Sequence, residues 1–301
     1  MALPPEQVAK IAAYPSDFSR PDLGLPSDVY NNLLSTLTTV IHSAWAVKFN
    51  FGIKSFEQHH INGTHYFDPA LSRREDHFSS GVLFLLVDLH GRRPVLKFEH
   101  AQNMGYAKSK LVTEHIVERA SEQYGLHARV IRIGQIVGDS VNGHWNDTKA
   151  IPLMIRSALM LKALPALDET PSWIPVDYVA RSLMELCGIV NPIPNDIPQT
   201  TFRWTEDLLP PLQSRPPLPH RQQREWIRLV REGDQDPIRN PTVKLAGFFA
   251  AKYDNELSGR KGLAFETNVT EKNSDAIRNA TDPVSSGLIK KFVERWLEAW
   301  V

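Results

Sequence analysis

The sequence has no excess of either charge, almost no cysteine and no long apolar run. Lys+Arg and Asp+Glu both number 34, so neither a nucleic acid nor a membrane surface is expected as the main partner. The single cysteine, Cys187, cannot form a disulfide within the chain. No apolar run is long enough to span a bilayer and no signal peptide opens the sequence, which predicts a cytoplasmic protein.

The composition is that of an ordinary folded protein. Of 301 residues, 42% are hydrophobic and 23% are charged, which provides enough material for one large domain or two smaller ones. Prolines concentrate between residues 191 and 220, and we interpret this stretch as turns around short segments. It predicts a boundary that separates residues 1–190 from residues 191–301. The histidines at positions 59, 60 and 65 have no partners at metal-site spacing, and no metal site is expected.

The stretch Gly105–Lys110 carries the strongest chemical signal. Tyr106 and Lys110 are four residues apart and lead into an apolar-periodic segment, which predicts a helix with both side chains on one face. A cation beside a phenol favours the phenolate and lowers the phenol's pKa. Such a phenol can protonate the alkoxide that forms when hydride reaches a carbonyl carbon. The alternative is a surface helix with Lys108 and Lys110 in water.

Apolar segments flank this helix in the sequence. Residues 38–45 lie upstream and residues 130–138 lie downstream, and both have the composition of buried parallel strands. Trp45, Phe49 and Phe51 follow the first strand and could line a substrate slot, although core packing explains each of them as well. Strands on both sides of a helix predict an α/β fold with a parallel sheet.

Four motifs in order carry a resemblance to a known family. They are VIHSAW at Val40–Trp45, MGYAKSK at Met104–Lys110, IRIGQIVG at Ile131–Gly138 and WIPVDYVA at Trp173–Ala180. The set resembles the thioester reductase domains at the C-termini of fungal nonribosomal peptide synthetase-like and polyketide synthase proteins. Those domains belong to the extended short-chain dehydrogenase/reductase superfamily, and the resemblance covers nearly the whole chain.

The resemblance implies an activity, a cofactor and a partner. Thioester reductases use NADPH to reduce an acyl or peptidyl thioester on a carrier protein, and they release an aldehyde or an alcohol. By position, Tyr106 would donate the proton, Lys110 would lower its pKa and hold the nicotinamide ribose, and Ser80 would bind the carbonyl oxygen. Further cofactor contacts are implied by position, at Asp17, His42, Ser43, Ala44 and Ile133. The smaller, mostly helical C-terminal subdomain would face the substrate and the carrier.

The chain departs from that family at its glycines and its first strands. None of the 16 glycines forms GxGxxG or GxxGxxG, the turns that hold a dinucleotide pyrophosphate. The resemblance implies a Rossmann-like, doubly wound parallel sheet, and we therefore expect this sheet without its first two strands and with weakened NADPH binding. The segment Lys10–Tyr14 would match the family's third strand and pair directly with Thr38–Ala44.

A second departure lies in residues 67–100. Either Ser80 ends a strand, as its separation from Tyr106 favours, or the apolar run Val82–Val87 has become the strand and the serine is displaced. The chain as a whole also has alternatives to an active reductase. It could be a catalytically impaired remnant that binds a partner synthase, or the fragment of a split gene.

Overall fold

A computed structural model describes residues 3–66, 82–87, 101, 103–124, 128–190, 203–213, 218–254, 267–280 and 282–300. The chain divides into two compact units, residues 1–133 and residues 134–301. This division differs from the boundary predicted at residue 190. The predicted boundary separates cofactor from substrate functions, and it stays a prediction.

The first unit contains a parallel sheet of three described strands in the order β1–β2–β3. They are β1 (Val40–His42), β2 (Val82–Val87) and β3 (Ala128–Ile133). Val40 lies opposite Val82, and β2 pairs with β3 along its whole length, from Val82 opposite Ala128 to Val87 opposite Ile133. Parallel neighbours need a long crossover, and between β2 and β3 this includes the helix α3 (Gly105–Tyr124). The predicted α/β class with a parallel sheet is confirmed.

Helix α3 has a buried stripe with helical spacing. Its buried residues include Tyr106, Lys110, Thr113, Val117 and Ala120, which recur every three or four positions as on one face of an α-helix. The helix is expected from the sequence to run to about Tyr124, and it does. An ion pair fixes this face to β3, because Arg132 donates to both carboxylate oxygens of Glu114 at 2.6 and 2.7 Å.

The other described helices of the first unit are short. They are α1 (Pro5–Val8), α2 (Ser27–Thr36), a 3-10 turn (Ile53–Phe56) and a π-helical turn (Glu57–Ile61) that continues as α-helix over residues 62–66.

The predicted strand Lys10–Tyr14 is wrong. Residues 11–17 have no regular secondary structure, and every residue from 3 to 17 is exposed. A strand at that position would have to bury its apolar side chains, yet Ile11 is 61% exposed. The predicted pairing with Thr38–Ala44 does not form; the described partner of β1 is β2.

The second unit is mostly helical and has its own core. Its helices are α4 (Ala150–Leu161), α5 (Val176–Leu186), α6 (Leu209–Gln213), α7 (Gln223–Glu232), α8 (Ala246–Tyr253), α9 (Asn268–Asn273), α10 (Asp275–Arg278) and α11 (Leu288–Trp300). Its strands form two parallel pairs, β4 (Gln135–Val137) with β6 (Trp173–Pro175) and β5 (Leu164–Ala166) with β7 (His220–Gln222). Trp204, Trp226, Phe249 and Phe292 are fully buried in one apolar cluster.

Asp177 connects the first turn of α5 to the loop after β4. It is the second residue of α5, and its carboxylate accepts hydrogen bonds from the Ser140 backbone N–H at 2.9 Å and from the Ser140 hydroxyl at 2.6 Å. The carboxylate therefore fixes the loop after β4. No helix in the described part of the chain is long and apolar enough to cross a membrane.

Candidate active site

Tyr106 and Lys110 lie one turn apart on α3, and both are buried. Each side chain is 5% exposed, which excludes the alternative of a lysine in open water. The Tyr106 ring packs edge-on against Phe49 at 5.5 Å and against Phe56 at 6.2 Å between centroids. Phe49 therefore packs around the phenol, whereas Phe51 is 43% exposed.

The start of α3 is pressed against the segment that follows β1. A Cβ atom at Gly105 would collide with the Phe51 carbonyl oxygen and would approach the Ile53 backbone nitrogen to 2.6 Å. Only glycine permits this approach without a backbone shift. The close packing positions Tyr106, the second residue of the helix, against the aromatic residues of that segment.

The Lys110 ammonium faces an aromatic ring. Its Nζ atom lies 3.8 Å from the centroid of the Trp45 ring and 5.9 Å from the centroid of the Tyr106 ring. The imidazole of His60 stacks on Trp45 at 4.9 Å, and His42 meets it edge-on at 6.1 Å. An aromatic and histidine cluster thus surrounds the amine; we call it the Lys110 cluster (His42, Trp45, His60, Tyr106 and Lys110).

Burial controls the ionisation of this cluster. It raises the pKa of Tyr106 to about 12 and lowers the pKa of Lys110 to about 7, because low-dielectric surroundings disfavour the charged form of each group. Burial, with smaller contributions from Lys110 and His60, lowers the pKa of His42 to about 4. The pKa of His60 is also lowered, by burial first and then by Lys110 and His59. Both imidazoles are therefore neutral at pH 7.

The phenol's pKa differs in direction from the sequence expectation. A lowering by Lys110 was expected, but burial raises the pKa of Tyr106. The reason is geometric, because the ammonium is directed to the Trp45 ring and the phenol lies among apolar rings. Burial therefore keeps Tyr106 protonated, and a protonated phenol is the form that a general acid needs.

The remaining predicted cofactor residues divide into two groups. His42 ends β1 and is buried, Ile133 ends β3 and is buried, and Ser43 and Ala44 are exposed just after β1. The carboxyl edge of a parallel sheet is where open α/β folds bind ligands. Asp17 is exposed and accepts hydrogen bonds from the Ser19 backbone at 2.9 Å and the Ser19 hydroxyl at 2.6 Å. Those bonds lower its pKa and hold a turn.

Ser80 lies outside the described residues, and its role stays a prediction. The open question about Val82–Val87 is answered, because this run forms β2. Ser80 therefore precedes β2 in the sequence instead of following its carboxyl end. Trp45 and His60 are the members of the Lys110 cluster that sequence reasoning did not connect with catalysis or cofactor binding. A Trp in the loop after a strand gives no signal of a charged partner.

The Lys110 cluster suits a nucleotide sugar better than a metal ion. No group of three His, Cys, Asp or Glu side chains with metal-binding geometry exists among the described residues. A lysine amine and a phenol hydroxyl supply N–H and O–H donors, and ribose hydroxyls can accept from both. The residues present therefore fit a nicotinamide ribose.

Comparisons with known proteins agree on the family. The model of the NAD-binding male sterility protein family matches residues 2–85 and 87–183, more than half of the chain. The chain is 28% identical to the 3-methylorcinaldehyde synthase of Talaromyces stipitatus, across 98% of the chain and 12% of the relative. It is also 28% identical to a carboxylic acid reductase of Neurospora crassa, across 96% of the chain and 30% of the relative.

A solved structure has the same fold. The terminal R domain of the myxalamid polyketide–nonribosomal peptide pathway superimposes with a TM-score of 0.78 at 18% identity, covering 98% of this chain and 77% of that one. The match establishes the Rossmann-like fold. The chain spans only about an eighth of the synthase and under a third of the reductase. With the family model matched over most of residues 2–183, the chain belongs to the NAD-binding male sterility protein family.

Proposed function

We propose that this chain acts as an NADPH-dependent thioester reductase domain in secondary-metabolite biosynthesis. Its substrate would be an acyl or peptidyl thioester on a carrier protein, and its product an aldehyde or an alcohol. The observation that carries the proposal is the buried pair of Tyr106 and Lys110, one turn apart on α3 beside a parallel sheet. Membership of an NAD-binding family supports a nicotinamide cofactor.

The chain's own residues would bind and orient the cofactor. Lys110 would donate to the nicotinamide ribose, and the Tyr106 oxygen would accept from a ribose hydroxyl, which leaves the phenol proton for the substrate. His42, Ser43, Ala44 and Ile133 would form the carboxyl edge of the sheet beside the ribose. Asp17 would lie near the adenine. Bound NADPH would supply the hydride that the carbonyl carbon of the thioester accepts.

Tyr106 would complete the reduction by proton transfer. When the carbonyl carbon gains hydride, the oxygen becomes an alkoxide and accepts the phenol proton of Tyr106. The carbon–sulfur bond would then break as the new hydroxyl returns its proton to the Tyr106 phenolate, so that the aldehyde forms and the carrier's thiolate leaves and takes a proton from solvent. Ser80 would hydrogen-bond the carbonyl oxygen. A second hydride and a second proton would give the alcohol.

Turnover of a simple thioester tests the proposal. Purified chain is mixed with millimolar NADPH and an acyl-pantetheine thioester, which carries the reacting group of a loaded carrier protein. We expect loss of the reduced nicotinamide absorbance that depends on the thioester, with an aldehyde or alcohol identified by mass spectrometry. A wild-type protein no more active than Tyr106→Phe would contradict the proposal.

A further inference from the structure

The position of the Lys110 ammonium over Trp45 is the starting observation. A cation within about 6 Å of the centroid of a tryptophan ring is attracted by the ring's quadrupole, and more strongly where water is excluded. The Nζ atom is 3.8 Å from that centroid, well inside this range, whereas the Tyr106 ring centroid at 5.9 Å lies at its limit.

Trp45 is itself held from three sides. Its Nε1 atom donates to the Ser109 hydroxyl at 3.2 Å. The His60 ring stacks on it with 26° between the planes, and the His42 ring meets it at 71°. A ring with this many neighbours has one orientation, and its face is fixed beneath the amine.

Ser109 connects the indole to the catalytic turn. Its hydroxyl donates to the backbone carbonyl of Tyr106 at 2.8 Å while it accepts the Trp45 N–H. Ser109 is fully buried, so water does not compete for either bond. The loop after β1 and the first turn of α3 are therefore joined through Trp45 and Ser109.

We propose that Trp45 is a positioning residue for the Tyr106–Lys110 pair. Its indole face holds the Lys110 ammonium in its charged form, and its N–H fixes the ring to the turn that carries Tyr106. The proposal rests on the proposed function in that it gives this pair a catalytic role. The contacts themselves do not depend on that role.

The ionisable groups named around the amine are uncharged at pH 7 or paired elsewhere. His42 from β1 and His60 from the π-helical turn both face the cluster, and burial first and then the charge of Lys110 lower the pKa of each. Tyr106 is protonated at neutral pH because burial raises its pKa. Glu114, one turn further along α3, binds Arg132 with both oxygens. The π-face of Trp45 favours the ammonium, and it lies nearer to the amine than the Tyr106 ring does.

The charge state of Lys110 can be measured directly. Protein with carbon-13 at the lysine ε-carbons is titrated by NMR, and the Lys110 signal is identified by its loss in Lys110→Met. Compared with wild type, Trp45→Leu should lower the titration midpoint of Lys110 by about one pH unit, because Leu keeps apolar bulk but has no π-face. Trp45→Phe should lower it by less.

Two controls make the result decisive. The carbon-13 signal of Lys108, two residues earlier and bound to Asn103 Oδ1 at 2.8 Å, is an internal reference and should be the same in every variant. Ser109→Ala removes the acceptor of the Trp45 N–H together with the hydrogen bond to the Tyr106 carbonyl, and it should shift Lys110 in the same direction by a smaller amount. If Trp45→Leu does not fold, Trp45→Phe and Ser109→Ala carry the test.

An unchanged or raised midpoint in the folded Trp45 variants would overturn the proposal, because Trp45 would then act only by excluding water. The titration needs neither NADPH nor thioester. A wild-type protein without turnover would therefore refute the reductase function and leave this result standing. If the protein is active, the part of its pH–rate profile that reports the ionisation of Lys110 should shift by the same amount as the midpoint measured by NMR.

Discussion

Tyr106 carries the hydroxyl on which the proposed proton transfer depends. Tyr106→Phe should lower kcat by about 10²–10⁴-fold, the usual contribution of a positioned general acid. Lys110→Ala should cost a similar factor and also weaken NADPH binding, while Ser80→Ala should cost less. Tyr253→Phe is a matched control. Tyr253 is also buried, but both Tyr253 and the Glu169 side chain that its hydroxyl binds belong to the second unit. Full turnover by Tyr106→Phe would show that α3 is only scaffold.

Because Lys110 is buried, we expect the free energy of unfolding to depend on pH. Its pKa is about 7 in the folded protein, against 10.5 for a free lysine. Between these values the unfolded chain binds more protons than the folded one, so the free energy of unfolding should rise with pH, by at most about 1.4 kcal/mol per unit. Below pH 7 both states are charged and this rise is absent.

Urea unfolding of wild type and Lys110→Met checks this from pH 7 to about pH 10. The wild-type curve should rise relative to the variant, which has no amine to titrate. Lys108→Met removes a neighbouring amine on the same helix, and its curve should follow that of the wild type. Parallel curves for wild type and Lys110→Met would contradict the burial of the charge.

At the scale of the element, the start of α3 depends on Gly105. Gly105→Ala should destabilise the protein by about 1–3 kcal/mol, since the new methyl group meets the backbone of Phe51, Gly52 and Ile53. Gly247→Ala is the matched control. Gly247 is exposed on α8 with nothing within 4 Å of its added Cβ, and this change should be neutral or stabilise by up to about 1 kcal/mol.

Chemical denaturation measures both variants. If Gly105→Ala were as stable as wild type, α3 would have room to move away from the loop after β1. The geometry around Tyr106 would then be less constrained than the close approach of Gly105 indicates.

The elements differ in how far the sequence predicts them. Helix α3 is predictable because its buried residues recur with one helical period. The strand at Lys10–Tyr14 was expected from its place in a family pattern, and it is absent because its side chains bury nothing. Residues 130–138 read as one strand, but the chain divides at Gly134, where a Cβ would lie 2.7 Å from the Ser172 carbonyl oxygen. That contact is long-range and leaves no local signal.

The residues of the candidate site also differ in how far the sequence predicts them. Tyr106 and Lys110 follow from local spacing, since four residues on a helix define one face. The ring beneath the amine is 65 residues earlier in the sequence, and only the fold brings Trp45 and Lys110 together. The direction of the phenol's pKa likewise depends on burial by Phe49 and Phe56, which spacing alone does not reveal.

At the scale of the whole molecule, the described candidate residues all belong to the first compact unit. The second unit has an independent core around its tryptophans. The predicted division, with cofactor chemistry in residues 1–190 and substrate or carrier contacts in residues 191–301, stays a proposal. The 3-methylorcinaldehyde synthase relative is about eight times longer than its match to this chain. Contact with a carrier protein is therefore also a proposal for this chain.

The last prediction concerns the cofactor. Rossmann folds bind the pyrophosphate with the amides of a glycine-rich turn and the helix N-terminus that follows it. No such turn occurs among the 16 glycines, and the sheet of the first unit has three strands among the described residues. The ribose contacts of Tyr106 and Lys110 would then supply most of the affinity.

We therefore expect NADPH to bind with a Kd above about 0.1 mM, equivalent to a binding free energy weaker than about −5.5 kcal/mol. Fluorescence titration of the purified chain measures it, and Lys110→Ala should weaken the binding further. Turnover at millimolar NADPH is compatible with such a Kd, so this prediction and the reductase proposal can fail separately. Binding at micromolar concentration or below would contradict it, and would mean that another loop of this chain supplies the phosphate-binding amides.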